Sequence, residues 1–122
     1  MVLAETIKSK QLLHISYIGH VTLADAQTVA GEIRQILTDE LSPGFRLLTD
    51  LSRLDRMDVE CEEIIGRVME FLQEKGVTEI VRVIPDPSKD IGLNIMSLFR
   101  YSRSIRPVTC KTVEEAGRIL SL

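Results

Sequence analysis

The stretch Leu47-Leu-Thr-Asp-Leu-Ser-Arg-Leu-Asp-Arg-Met-Asp58 leads from an apolar run to a run of carboxylates near the middle of the chain. Residues 45–51 are apolar on both faces except at their ends, which is typical of an interior strand of a parallel sheet. Asp58 opens a segment with helical periodicity. The stretch therefore predicts a buried strand, a short loop and a helix in that order.

The amino-terminal side of this stretch predicts two strands and a helix. Residues 12–18 are β-rich, and residues 2–7 are their predicted antiparallel neighbour. Thr22-Leu-Ala-Asp25 resembles a capping box in which Asp replaces the preferred Glu, and it starts a helix. Ser42-Pro43-Gly44 ends that helix and turns the chain. Its buried stripe recurs at helical spacing: Ala26, Val29, Ala30, Ile33, Ile36 and Leu37.

The carboxyl-terminal side continues the alternation of strand and helix. A second helix is predicted over residues 59–75 and ends at Gly76, and residues 80–84 and 107–110 form further strands. Thr112-Val-Glu-Glu115 is a capping box that starts a closing helix. A third helix is predicted between these last two strands, on the stripe Ile91, Ile95, Leu98 and Phe99. Residues 1–122 are therefore predicted to form one α/β domain with a mostly parallel central sheet, about four helices and an antiparallel N-terminal strand pair.

Composition excludes several classes of function. The 122 residues include 15 basic and 18 acidic ones, and the net charge of -3 gives no general attraction to nucleic acid or anionic membranes. The chain has neither a signal-peptide pattern nor an apolar run long enough to span a bilayer, which predicts a cytoplasmic protein. Cys61 and Cys110 lie far apart without metal-ligand spacing and are predicted to be buried free thiols.

Three segments in this order resemble the STAS family of sulphate transporter and anti-sigma-factor antagonist domains, which includes the SpoIIAA-like proteins. They are the stretch from Leu47 to Asp58, then Glu74-Lys-Gly-Val77, then Lys111-Thr-Val-Glu-Glu-Ala116. The resemblance covers nearly the whole chain. It implies a SpoIIAA-like layered domain and a bacterial signalling protein that binds a regulatory partner and is not an enzyme.

The resemblance also implies where a partner would bind. In signalling members, the Asp at the start of the second helix precedes a Ser that a kinase phosphorylates, whereas here Asp58 precedes Val59. Valine has no hydroxyl, so the usual phosphorylation switch is absent. Asp58, Val59 and Glu60 are predicted as the centre of the partner surface, with Asp50 and Ser52 beside them. Ser52 is either an alternative phosphoacceptor or, as its position favours, a turn residue.

Glu60 also has two interpretations. It resembles a fixed negative charge near the missing phosphate, or it joins Asp58, Glu62 and Glu63 in complementing the positive end of the helix dipole. The dipole effect is general, and we favour it.

The third predicted helix suggests an alternative function, because its apolar residues spread over more than one face. The excess could line a pocket for a small apolar or lipid-like ligand, or form a homodimer surface. Some SpoIIAA-like domains resemble lipid-binding folds, which supports the pocket. Arg100, Arg103, Arg106 and Lys111 form a local basic stretch, which helix-dipole complementarity explains better than an acidic partner or a phosphate-bearing ligand does. The candidate ligand-binding residues are Ile95, Phe99, Arg100 and Arg103.

No catalytic or metal-binding pattern stands out. His14 and His20 have no acidic or Cys residue at metal spacing and are predicted to be hydrogen-bonded or solvent-facing. Asp50, Asp55 and Asp58 could suggest a divalent cation site, but Arg53 and Arg56 are interleaved with them, which predicts ion pairs and argues against a cation site. We therefore expect no catalytic residue, metal or cofactor.

Overall fold

The computed structural model describes residues 1–86 and 105–122, which contain a five-stranded sheet in the order β1-β2-β3-β4-β5. β1 (Val2–Ile7) runs antiparallel to β2 (Leu12–Val21). β3 (Arg46–Met57), β4 (Glu79–Val83) and β5 (Val108–Cys110) follow in parallel. The mostly parallel sheet and its antiparallel N-terminal pair are confirmed.

Three α-helices lie in the described residues: α1 (Leu23–Asp39), α2 (Cys61–Glu74) and α3 (Val113–Ile119). The helix predicted on Ile91, Ile95, Leu98 and Phe99 falls on residues 87–104, outside the described ones. At the start of α1 the predicted capping box is confirmed. The Thr22 hydroxyl accepts the Asp25 N–H at 3.3 Å, and the Asp25 carboxylate accepts the Thr22 N–H at 2.9 Å.

The sheet separates two apolar cores. The larger core lies between the sheet and the pair α1 and α2, and the smaller one lies on the other face under α3. Leu47 belongs to the larger core and its neighbour Leu48 to the smaller one, so β3 buries both of its faces as an interior strand should. The burial of successive side chains on opposite faces places β3 at the centre of the domain.

β3 is longer than the sequence predicts. The predicted strand ends at Leu51 and turns at Ser52, but the observed strand continues to Met57. Between Asp50 and Met57, β3 advances seven residues while its neighbour β2 advances only five. Two register shifts take up the difference, each with one extra residue on β3.

The register shifts explain why the sequence wrongly predicts that β3 ends at Leu51. Leu51, Leu54 and Met57 are buried while the residues between them are exposed, so burial recurs at every third residue. A regular strand that is buried on one face has an apolar residue at every second position. Apolar residues at every third position do not match that pattern, so the sequence of this segment indicates a loop. The shifts coincide with the end of β2, where Gly19 has a φ of +65°.

Candidate partner-binding site

Asp58, Val59 and Glu60 form a tight turn between β3 and α2, hereafter the α2 turn. The Asp58 N–H donates to the Val21 carbonyl at 3.0 Å, which ties the turn to the end of β2. The Cys61 N–H donates to the Asp58 carbonyl at 2.9 Å, which ties it to the first residue of α2. Helix α2 thus begins two residues later than predicted, and the α2 turn is held from both sides.

The side chain of Asp58 is held as well. Its Oδ1 lies 2.7 Å from Nε2 of His20, and both side chains are 40% exposed. The contact joins residues 38 positions apart, so no spacing in the sequence could have revealed it. The predicted hydrogen bonding of the histidines is confirmed, since His14 also lies 3.3 Å from the Ser16 hydroxyl.

Val59 is the most exposed large apolar side chain in residues 1–86 and 105–122, at 74%. Glu60 is exposed beside it and makes no side-chain capping bond at the start of α2. Glu62 and Glu63 follow in the first turn of the helix, where carboxylates complement the dipole. The α2 turn therefore presents one apolar side chain in an acidic surround.

The Cys61 thiol, which lies next to the α2 turn, has low reactivity. Cys61 is fully buried, and burial is the main reason that its pKa lies above the ordinary value. The carboxylates of Asp58, Asp25 and Glu60 act in the same direction. A thiol with a raised pKa carries little thiolate and is a poor nucleophile or metal ligand at neutral pH. Cys110 is also buried, so the prediction of two buried free thiols is confirmed.

Two predicted site residues do not reach the α2 turn. Asp50 is only 6% exposed, so it lies below the surface, and its Oδ1 accepts the Ser52 N–H at 2.9 Å. Ser52 is exposed, but it lies on a strand and six residues before Asp58. At about 3.3 Å per residue, an extended strand separates the two by up to ~20 Å. The candidate site therefore consists of Asp58, Val59 and Glu60 with His20.

The arginines on this strand have a different environment from the one predicted. Arg53 and Arg56 are exposed, and neither forms an ion pair with another residue of the described chain, contrary to the expectation. Arg56 lies opposite His20 in the register of β2 and β3. Residues 1–86 and 105–122 contain no cluster of three His, Cys, Asp or Glu side chains that could hold a metal ion.

The candidate ligand-binding residues Ile95, Phe99, Arg100 and Arg103 lie outside the described residues. Between the sheet and α2, the described chain encloses an apolar cavity of about 20 Å³, bordered by Met69. A cavity of that size has room for about one water molecule. None of the described helices is long and apolar enough to cross a membrane.

Solved structures with the same fold can be found for this chain, whereas comparisons of its sequence find no relative. No family model and no curated protein matches the chain. The anti-sigma factor antagonist SpoIIAA in its unphosphorylated form is 15% identical, with a TM-score of 0.64 over 100% of both chains. An uncharacterized Shewanella loihica protein with a SpoIIAA-like fold is 12% identical, with a TM-score of 0.71 over 98% of this chain and 92% of that one.

A third solved structure, an anti-sigma factor antagonist from Mycobacterium paratuberculosis, is 16% identical, with a TM-score of 0.62. It is matched over 94% of its length and over 100% of this chain. The predicted resemblance is confirmed at the level of the fold, because the chain has a SpoIIAA-like, STAS-type α/β architecture.

Proposed function

We propose that the chain is a non-enzymatic regulatory module that binds a protein partner at the α2 turn. The observation that carries the proposal is Val59, an apolar side chain 74% exposed on a turn that backbone hydrogen bonds hold at both ends. A turn whose backbone is already held loses little conformational entropy when its apolar side chain enters a partner's pocket. Together with the anti-sigma factor antagonists among its structural neighbours, this supports a regulatory partner of the anti-sigma-factor kind.

Binding at the α2 turn would be independent of phosphorylation. Val59 has no hydroxyl, and Ser52 lies up to ~20 Å of strand away from Asp58. The Asp58 carboxylate lies 2.7 Å from His20 and belongs to the turn without any modification. The module would therefore work by constitutive docking, and a cytoplasmic role in a bacterial signalling system is part of the same proposal.

Affinity capture from the native cell tests the proposal, with quantitative mass spectrometry of the captured proteins. We expect Val59→Arg and Asp58→Ala to reduce capture of one regulatory protein at least tenfold. Val113→Arg is the matched control, since Val113 is 42% exposed at the start of α3, on the other side of the sheet. Ser52→Ala should leave capture unchanged.

Three results would contradict the proposal: no regulatory protein is captured, the α2-turn variants capture it as well as the wild type, or Val113→Arg loses it equally. Phosphate found on the Ser52 peptide together with loss of capture would contradict the independence from phosphorylation.

A further inference from the structure

A second feature of α2 lies away from the α2 turn. Helices α1 and α2 pack side by side, and a slot of about 80 Å³ opens between them. Its apolar lining combines buried and half-buried side chains. The slot is lined by Ala30, Ile33, Arg34, Ile64, Arg67, Val68 and Phe71. On the scale used for the smaller cavity above, one water molecule needs about 10–15 Å³, so the slot has room for an aliphatic side chain.

The rim of the slot is cationic. Arg34 on α1 places its guanidinium carbon 5.6 Å from the centre of the Phe71 ring. Lys75, which follows α2, places its ammonium group 5.5 Å from the same ring. Arg67 borders the slot from α2 and has a side chain that is 64% exposed. In a chain of net charge -3, two cations therefore lie against one half-buried aromatic ring, and a third cation, Arg67, borders the same slot.

The carboxylates of α2 lie on one side of this rim. Glu63 accepts from Arg67 Nε at 3.2 Å, and Glu63, Glu70 and Glu74 recur at spacings of seven and four residues. At 100° per residue they form a row next to Arg67 on the side away from Phe71. Arg67 therefore separates the acidic row from the slot.

Helix α1 provides an independent observation. Gly31 lies in the exposed interior of α1, where a glycine costs about 1 kcal/mol relative to alanine. A Cβ atom at Gly31 would meet nothing within 4 Å, so packing inside the chain does not require this glycine. It lies next to Ala30 and one turn before Arg34 on the helix surface. Gly31 lies outside the lining of the slot but on the exposed surface of α1 beside it, so the backbone of α1 is open to close approach next to the slot.

We propose that this slot docks an acidic amphipathic helix of a partner protein, which inserts one aliphatic side chain between α1 and α2. The apolar lining receives the anchor, the cations of the rim pair with carboxylates beside it, and Gly31 lets the partner backbone come close. This is the groove mode of helix recognition, with a single anchor and complementary charge. A membrane surface fits less well, because a flat anionic bilayer would meet the acidic row of α2 as well as the rim, whereas a single helix can lie along the slot on the side of Arg67 away from that row.

Peptide selection tests the proposal on the folded protein. A displayed library of random peptides is selected against the full chain, and the selected peptides are synthesised and titrated by fluorescence anisotropy. We expect an aliphatic residue flanked by Asp or Glu to be enriched. Arg34→Glu combined with Arg67→Glu should weaken binding at least tenfold, and Ala30→Leu, which fills the slot, should do the same without lowering Tm.

Matched controls separate the slot from general charge and from the α2 turn. Arg118→Glu changes an exposed arginine on α3 and should leave peptide affinity unchanged. Val59→Arg should also leave it unchanged, so this test does not depend on the function proposed for the α2 turn. Peptides that are basic, or that bind Ala30→Leu as tightly as the wild type, would overturn the proposal. So would a failure to select any peptide, or binding to phosphatidylglycerol vesicles that Ala30→Leu abolishes.

Discussion

The two halves of β3, residues 46–50 and 51–57, differ in the strands that they pair with. From Arg46 to Asp50 the strand pairs with β2 on one side and β4 on the other. β4 ends at Val83, opposite Asp50, and beyond that point β2 is the only strand within residues 1–86 and 105–122 that pairs with β3. The first half keeps a regular register with both neighbours, whereas the second half contains the two register shifts.

This difference shows how one strand serves both the core and the surface. A strand with two neighbours is fixed in register on both edges, so its side chains alternate strictly between the two cores. With one neighbour, it can accept extra residues, twist more strongly and redirect the chain. The second half leads to the α2 turn, which therefore projects beyond the part of the sheet where β4 ends.

The largest expected change in the free energy of unfolding comes from replacing one buried leucine in each half of β3 by alanine. Leu47 and Leu54 are 2% and 3% exposed, so their burial is matched. A buried Leu→Ala change costs roughly 2–5 kcal/mol, and less where the surroundings can collapse into the cavity. We expect Leu47→Ala to lie near the upper end and Leu54→Ala near the lower end, as measured by urea unfolding. Equal losses would show that the second half is as rigid as the first.

Val59→Ala is the control for this comparison. The side chain is 74% exposed, and surface substitutions of this kind change stability by no more than about 0.5 kcal/mol. A larger loss would mean that Val59 contributes to folding, which would weaken its assignment to partner binding.

A smaller effect is expected at the second register shift. Gly19 has a φ of +65°, and a Cβ atom there would meet nothing within 4 Å, so the cost of Gly19→Ala is a backbone cost alone. A left-handed conformation costs a residue with a side chain roughly 1–2 kcal/mol. Gly31→Ala, in α1, should instead stabilise the protein by about 1 kcal/mol. A neutral Gly19→Ala would show that the shift does not depend on this conformation.

The contact between His20 and Asp58 should contribute less to the free energy of unfolding than the conformation of Gly19 does. Both side chains are 40% exposed, and an exposed pair of this kind, which is ionic only when His20 is protonated, is worth about 0.2–1 kcal/mol. A double-mutant cycle with His20→Gln and Asp58→Asn measures the coupling from urea unfolding. Added salt should reduce the coupling, because the pair is open to solvent. A coupling that persists at high salt would indicate a pair protected from solvent.

The smallest expected effect is the loss, at low pH, of the stability that Asp25 contributes. The Thr22 N–H and then its hydroxyl, together with the N-terminal amine, hold the pKa of Asp25 below its usual range. A depressed pKa in the folded state stabilises it at pH values above the ordinary Asp pKa of about 3.9, and this stabilisation is lost as the pH falls through the folded value. The Tm difference between wild type and Asp25→Asn should therefore shrink on acidification. A constant difference would contradict the assignment.

Most elements of the fold could be predicted from local signals. The stripe of α1, the Thr22 capping box and Gly76 at the end of α2 all act within a few residues of the chain. Gly76 has a φ of +97°, and a Cβ atom there would lie 3.0 Å from Pro43, so the predicted terminator is also required by packing. Such features are local because capping bonds and helical periodicity connect residues three or four positions apart.

The candidate site could be predicted only in part. The position of Val59 between two carboxylates is a local feature, and the family resemblance indicated where to look for it. The pairing of Asp58 with His20 and the burial of Asp50 depend on how β2 lies against β3. The continuation of β3 to Met57 was missed because a register shift belongs to two strands, and the sequence of one strand shows only an irregular period.

The order of strands and helices, the lack of a hydroxyl at Val59 and the two free thiols follow from the sequence, because each rests on composition or on neighbours along the chain. The packing of the chain sets the exposure of the α2 turn, the separation of Ser52 from it and the cationic slot between α1 and α2. These features join residues tens of positions apart. Such contacts form only when strands pair and helices pack, so no short-range pattern encodes them.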